Sequence, residues 1–315
     1  VWQQPERLTE QLTELLAEWP SADLVAVTMT AELADCFTSK AEGVAAILSA
    51  AVTAAAPRPV VVWQTGAEFV TPEIANEVPR LVAAANWHAL ATFAGRLVPS
   101  GSALLLDIGS TTTDIIPLQN GVPVPRGLTD RQRLVERELI YTGVMRTPVC
   151  AVTGEVELPE GPCSLAAEFF ASTGDVHLLR GKIPETAIEG NTADGRPATM
   201  AHAAARLARM VCCDLDDLDD TDIRKIADQV ADAQKRQIAL ACQQVLDRLP
   251  GPCRHLLVAG SGSFLARELI AEDTRLAGAQ LEMLTECFSE EVAEAACAYA
   301  VARLATERAA DLVTG

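Results

Sequence analysis

The densest set of chemically useful side chains in this sequence is Asp107-Ile108-Gly109-Ser110-Thr111-Thr112-Thr113-Asp114. An apolar run, Ala103-Leu104-Leu105-Leu106, delivers Asp107 to what reads as a strand end. Gly109 can take backbone angles closed to other residues and lets a ligand approach the main chain. Ser110, Thr111, Thr112 and Thr113 add hydroxyls and amide donors, and a concavity of N–H groups suits phosphoryl oxygens. Asp107 and Asp114 flank this turn. Two carboxylates suit a hydrated Mg²⁺, which keeps several waters and takes few protein ligands. Asp107 reads as a ligand to a metal-bound water, and Asp114 either as that or as an acceptor that stabilises the turn. The bland alternative is an ordinary hairpin with β-favouring threonines.

A second candidate for anion binding follows another apolar run, Leu256-Leu257-Val258-Ala259, where Gly260-Ser261-Gly262-Ser263 opens a helical pattern. Free amides and the helix dipole favour an anion there. It is no dinucleotide fingerprint, because Leu265 stands where the third glycine belongs, and there is no Walker lysine. A plain tight turn is the competing reading.

Other polar groups are weaker signals. Glu32, Asp35 and Lys40 crowd just past a strand end, where open α/β sheets place ligands. Lys40 joins Asp107 and Asp114 as a catalytic candidate, with a diphosphate as its target, while Thr30 makes a capped, solvated helix start equally natural. Asn86, next to Trp87 and His88, could line a substrate pocket, although a histidine on an apolar helix more often belongs to the core. Arg126 follows Pro123-Val124-Pro125 and could reach a phosphate. Arg196, in Asp194-Gly195-Arg196, is either a substrate contact or half of a loop salt bridge. The acidic run from Asp214 to Asp222 fails the EF-hand pattern and reads as a solvated cap on the helix that follows.

The elements that would hold these groups alternate between strand and helix. Helical spacing over 6–18 precedes a strand over 24–29, a helix over 31–54, a strand over 60–63 and helical pattern over 72–98. That rhythm predicts parallel strands covered by helices, an α/β fold. Pro99-Ser100-Gly101 breaks the chain, dividing a first lobe, 1–100, from a second, 101–315. The second opens with strands over 103–107 and 112–118 and an Asn120-Gly121 hairpin turn. Helices over 130–141, 164–180, 198–213 and 222–248 follow, then strands over 256–259 and 281–284. A last helix over 289–307 is a candidate to return to the first lobe.

At 315 residues, 49% hydrophobic and 22% charged, the chain can bury a full core in two lobes. A net charge of −18 argues against nucleic acid and anionic membranes as partners. No apolar stretch approaches the length of a membrane span. Nine scattered cysteines with no C-x-x-C spacing point to reduced core thiols in the cytoplasm rather than to disulfides or zinc.

Together the two glycine-bearing motifs resemble the actin-like ATPase superfamily. Its members carry an Asp-x-Gly-x-Thr hairpin for phosphate at the start of the second lobe and a later glycine turn for the nucleoside. Thr28-Met29-Thr30-Ala31-Glu32-Leu33-Ala34-Asp35-Cys36-Phe37 and Lys40-Ala41-Glu42-Gly43-Val44 narrow the resemblance. So do Ala85-Asn86-Trp87, the loop from Leu105 to Pro117, Thr192-Ala193-Asp194-Gly195-Arg196-Pro197 and Ala204-Ala205-Arg206-Leu207-Ala208-Arg209-Met210. They are similar to the hydantoinase/oxoprolinase family, in a branch tied to tetrahydromethanopterin-linked one-carbon transfer and methanofuran synthesis. The resemblance implies a two-lobed actin-like (ribonuclease H-like) fold. It also implies a first phosphate hairpin that residues 1–20 do not contain, either lost or preceding Val1; the start without Met favours the second.

The activity it implies is a transferase. A phenolic acceptor displaces pyrophosphate from a diphosphate-activated aminomethylfuran, with Gly109, Ser110, Thr111, Thr112, Gly260, Ser261 and Gly262 on the phosphates. Mg²⁺ would sit at Asp107 and Asp114, and Glu32, Asp35, Asn86, Arg126 and Arg196 would meet the substrates. The partners implied are those two small molecules, with a homo-oligomer left open. Use of ATP also stays open, as do an ATP-dependent kinase or hydantoinase-like hydrolase and a non-catalytic nucleotide-binding scaffold.

Overall fold

Short runs of β-branched residues found the first sheet. β1 (Val25–Val27) and β2 (Val60–Gln64) pair in parallel, with Val25 opposite Val60 and Val27 opposite Val62. Parallel strands need a crossover, and the helix supplies it. α1 (Leu8–Ala17) packs on that crossover, α2 (Lys40–Ala55). β3 (Glu68–Val70) then returns antiparallel to β2. In the computed structural model residues 4–187, 192–272, 275–276, 278–289, 292–293 and 295–308 are described. They divide into two units. Unit 1 comprises Val1–Leu105, Ile116–Glu136 and Thr285–Gly315; unit 2 comprises Leu106–Ile115 and Arg137–Leu284.

Several helices in unit 1 depart from the sequence expectation. The pattern over 31–54 becomes a helix only at Lys40, because Ser39, not Thr30, is the cap: its Oγ accepts from the Glu42 amide at 3.2 Å. Residues 31–38 are turns. The stretch 72–98 breaks into α3 (Pro72–Glu77), α4 (Pro79–Val82) and α5 (Asn86–Ala94). Pro79 cannot donate to a continuing helix, and Ala84 takes a left-handed φ of 48°. Val44, Ile47 and Leu48 of α2 bury against Val62 and Val82. Trp63 packs with Ala85 and Ala89, and with Val301 and Leu304 of the helix Ala296–Glu307.

The second sheet has the order β11-β10-β4-β5-β6, built from β4 (Ser102–Ile108), β5 (Thr113–Gln119), β6 (Val122–Pro123), β10 (Cys253–Ala259) and β11 (Gln280–Met283). Asn120 and Gly121, both at positive φ (51° and 78°), turn β5 into β6. β7 (Leu139–Ile140) pairs with the start of β5, setting Leu139 opposite Asp114. The helix expected over 130–141 is therefore only α6 (Asp130–Glu136).

Unit 2 buries Leu178, Leu207, Ile226 and Val230 in one core. These come from α8 (Thr173–Leu179), α9 (Met200–Arg209) and α10 (Asp220–Leu246), which follow α7 (Val149–Val152). The sequence pattern places a helix over 164–180, but the chain first forms a hairpin of β8 (Glu155–Leu158) and β9 (Gly161–Ser164). The helix waits for Ser172, which forms a reciprocal capping box with Asp175. Asp175 also takes the buried guanidinium of Arg206 at 2.6 Å, locking α8 to α9. The acidic run caps α10: Asp219 accepts from the Thr221 and Asp222 amides at 2.8 and 2.9 Å. All nine cysteines are free thiols, and no described helix is long and apolar enough to cross a membrane.

Candidate functional site

Within unit 2 the two glycine-bearing turns meet. The Gly262 amide donates to the Ile108 carbonyl at 2.8 Å, binding the turn after β10 to the end of β4. Gly260 sits at a φ of +85°, and a Cβ built there would lie 2.3 Å from the Ile108 oxygen and 2.5 Å from Asp107 Oδ1. Only glycine allows that approach. The turn thus lies directly against the Asp107 carboxylate. α11 (Ser263–Glu272) starts immediately beyond it.

The loop itself is short of internal acceptors. The Gly109 amide donates to the Thr112 carbonyl at 2.9 Å. Among the described residues, the amides of Ser110, Thr111 and Thr112 find no acceptor. The Ser110 and Thr111 hydroxyls meet only each other, at 3.4 Å. Uncommitted donors around a carboxylate are what a metal-bound phosphate needs. Asp107 is half-buried at the end of β4, and Asp114 is buried on β5. No group of three or more His, Cys, Asp or Glu among the described residues could hold a metal. A cation here would be held by Asp107 and Asp114 with water and phosphate, which fits Mg²⁺.

Gly109 is a correction. A Cβ there would meet only the Thr112 oxygen, at an ordinary 3.5 Å, so its backbone does not demand glycine. What remains for it is ligand approach. Gly109→Ala should leave the melting temperature unchanged and weaken binding of Mg-pyrophosphate by about tenfold, as one surplus methyl does in a filled site. Calorimetric titration beside a thermal melt checks both halves.

Sequence reading missed what stands behind the loop. The Val144 amide donates to the Gly109 carbonyl, and the Met145 and Arg146 amides to that of Ser110, each at 3.0 Å. Gly143 is pressed so close that a Cβ would fall 2.5 Å from Ser110 C and Thr111 N. Its carbonyl accepts from Thr173 Oγ1 and from Gln234 Nε2, both at 2.8 Å. Gln234, buried on α10, also donates to Thr142 Oγ1 at 2.9 Å and meets His177 Nε2 at 2.9 Å. Thr113 Oγ1 completes the brace by donating to the Thr142 carbonyl.

In unit 1 the structure brings together a different set. Lys40 ion-pairs with Asp130 at 2.5 Å, so it is not a bare cation awaiting a diphosphate. Glu32 is buried, its Oε2 without a hydrogen-bond partner among the described residues. Burial raises its pKa, an effect that Lys40 opposes and Asp130 reinforces. Asp35 is exposed on a turn. Arg126 lies 3.8 Å from Glu136. Asn86 contacts Cys297 Sγ at 3.8 Å, and His88 is a core residue against Trp63 and Trp87. In unit 2, Arg196 is exposed and 3.9 Å from Asp194. That carboxylate is already held by Arg206 and Arg209, an arrangement of a loop salt bridge.

Burial, joined at His88 by the smaller effect of the Arg133 guanidinium, holds His88 and His177 neutral, lowering each pKa from 6.5 to about 4. Between those values the unfolded chain binds protons that the folded chain refuses. Stability is therefore complete above pH 6.5 and falls as pH drops toward 4, by about 3 kcal/mol per histidine. Thermal melts from pH 7.5 to 4.5 should show this fall, and a flat profile would contradict it.

Comparison with known proteins adds to this geometry. Residues 23–308 match the family model described as hydantoinase/oxoprolinase. The chain is 31% identical over 296 residues to the (4-{4-[2-(gamma-L-glutamylamino)ethyl]phenoxymethyl}furan-2-yl)methanamine synthase of Methanocaldococcus jannaschii, covering 94% of this chain and 86% of that protein. It is 27% identical to the protein of the same name from Methanococcus vannielii, over 64% of this chain and 90% of the relative. Among solved structures, a nucleotide-free acetone carboxylase superposes with a TM-score of 0.48 at 10% identity. That match covers 86% of this chain and 46% of the carboxylase chain, so this chain spans under half its length.

Proposed function

We propose that this chain, which belongs to the hydantoinase/oxoprolinase family, is an ether-forming synthase of the methanofuran pathway. The donor is an aminomethylfuran carrying a diphosphate on its second methylene, and the acceptor is the phenol of a γ-glutamyl tyramine. The acceptor oxygen forms a bond to the furan methylene carbon. The bond from that carbon to the diphosphate oxygen breaks and takes its electron pair, pyrophosphate leaves, and the phenol proton passes to solvent.

Identity of 31% over 94% of the chain to a protein named for the resulting phenoxymethylfuran carries this reading. The loop chemistry supports it. Negative charge grows on a departing diphosphate, and fixed N–H donors aimed at that charge lower the barrier. The amides of Ser110, Thr111 and Thr112, which find no acceptor among the described residues, would be such donors. Asp107 and Asp114 would hold Mg²⁺, which supplies further charge neutralisation on the leaving group.

Titration calorimetry against Mg-pyrophosphate and Mg-ATP tests it, beside turnover of the diphosphate donor with the phenol. Pyrophosphate is expected to bind, ATP is not, and one pyrophosphate should appear per ether formed. ATP binding with ATP consumption would replace this reading by an ATP-dependent one. Binding of neither would favour a non-catalytic role.

A further inference from the structure

The buried polar chain behind the loop in unit 2 allows one arrangement of its protons. Gln234 is fully buried on α10, with Gly143, Thr142 and His177 around its amide. The Gly143 carbonyl, 2.8 Å away, can only accept, so the Gln234 nitrogen must face it. The second N–H of that nitrogen goes to Thr142 Oγ1 at 2.9 Å. Gln234 Oε1 is thereby turned to His177 Nε2, also at 2.9 Å. This oxygen too can only accept. The one hydrogen of the neutral ring must therefore sit on Nε2, not on Nδ1. Nδ1 is left with no partner among the described residues, and Phe264 packs edge-on to the ring at 5.1 Å. His177 thus commits its single donor to Gln234.

We propose that His177 and Gln234 are positioning residues for the loop, forming a directed relay from His177 Nε2–H through the Gln234 amide to the Gly143 carbonyl. The relay fixes where the Ser110 and Thr111 amides point. What those amides act on rests on the ether-forming reading. The mechanical link is the Gly143 backbone, which lies so close that a Cβ would fall 2.5 Å from Ser110 C and Thr111 N. A shift of the Gly143 peptide must pass straight into the loop. Thr173 Oγ1 holds the same carbonyl at 2.8 Å, but a hydroxyl hydrogen rotates and can follow a moving acceptor. An amide held at both ends cannot. Donors aimed at developing charge are effective because they are oriented beforehand.

Nitrogen-15 labelling of the histidines in the whole protein reads the tautomer. His177, assigned by the loss of its signal in His177→Gln, should carry its proton on Nε2 at neutral pH. A proton on Nδ1 overturns the relay. Variants then test its effect on rate. In His177→Gln the new amide nitrogen takes the place of Nε2 and can donate to Gln234 Oε1, so kcat should stay near wild type. His177→Asn is too short to reach. It should lower kcat by about a hundredfold, as a site misplaced by about 1 Å does. The double variant His177→Phe with Gln234→Leu should lose as much. Because it removes both partners of one bond, its melting temperature should stay near wild type.

Wild-type kcat in a stable double variant, or equal losses in His177→Gln and His177→Asn, overturns the assignment. The amide chemical shifts of Ser110 and Thr111 report on the relay without any turnover. If they move in the double variant and not in His177→Gln, while the wild-type protein releases no pyrophosphate, the relay stands and the ether-forming reading falls. If the wild-type protein releases pyrophosphate and those shifts do not move in the double variant, the reading stands and the relay falls.

Discussion

Asp107→Asn is expected to lower turnover by about a thousandfold while leaving the melting temperature within a few degrees of wild type. The substitution preserves shape, which matters because Gly260 leaves no spare room beside Oδ1. It removes the negative charge, which is what a cation on the diphosphate would require of this residue. The loop amides stay in place, so some pyrophosphate binding should survive. The informative readout is the magnesium dependence of kcat: a much higher metal concentration should be needed for half-maximal rate. An Asn variant within tenfold of wild-type kcat, with unchanged metal dependence, would remove Asp107 from the cation site.

Gly143→Ala is the second large effect, and it works from behind. The new methyl would have to occupy space 2.5 Å from Ser110 C and Thr111 N and 2.6 Å from the Gly109 oxygen. Gly143 cannot yield, because its amide donates to Thr147 Oγ1 at 2.9 Å and its carbonyl is held by Thr173 and Gln234. The loop must therefore move. Overpacking of this kind costs about 2–3 kcal/mol, or about 5–10 °C in melting temperature. A loop displaced by about 1 Å should lose at least a hundredfold in rate. A thermal melt with pyrophosphate-release kinetics tests both; wild-type kinetics in a stably folded variant would show that the loop is not the site of chemistry.

The loop from Asp107 to Asp114 could be read from the sequence because its chemistry is local: strand, turn, hydroxyls and carboxylates follow one another within eight residues. The brace behind it could not. Gln234 reaches Thr142 and Gly143 across 92 and 91 positions, and nothing in the neighbourhood of Gln234 on α10 marks it as more than a core amide. The pairing of Lys40 with Asp130 spans 90 positions and is equally silent. Errors in the elements have local causes. Thr30 and Ser39 are both good caps, and only tertiary packing selects Ser39, since Gly43 of the first turn of α2 presses on the Glu32 backbone. The β8–β9 hairpin went unread because its strands are four residues each, too short to establish an alternation.

The brace has a consequence for how the site fails. Its partners come from β5, α8 and the long core helix α10, the elements that should open only when unit 2 unfolds. Loops that act as lids are drawn from the least protected parts of a protein; this one is anchored to the most protected. Its amide protons at Gly109 and Val144 should therefore exchange with solvent on the slowest timescale of the unit. Diphosphate would meet a site already ordered when the chain folded, so binding would freeze little backbone motion. On heating, activity and the fold of unit 2 should disappear together, with no earlier, separate loss of the site.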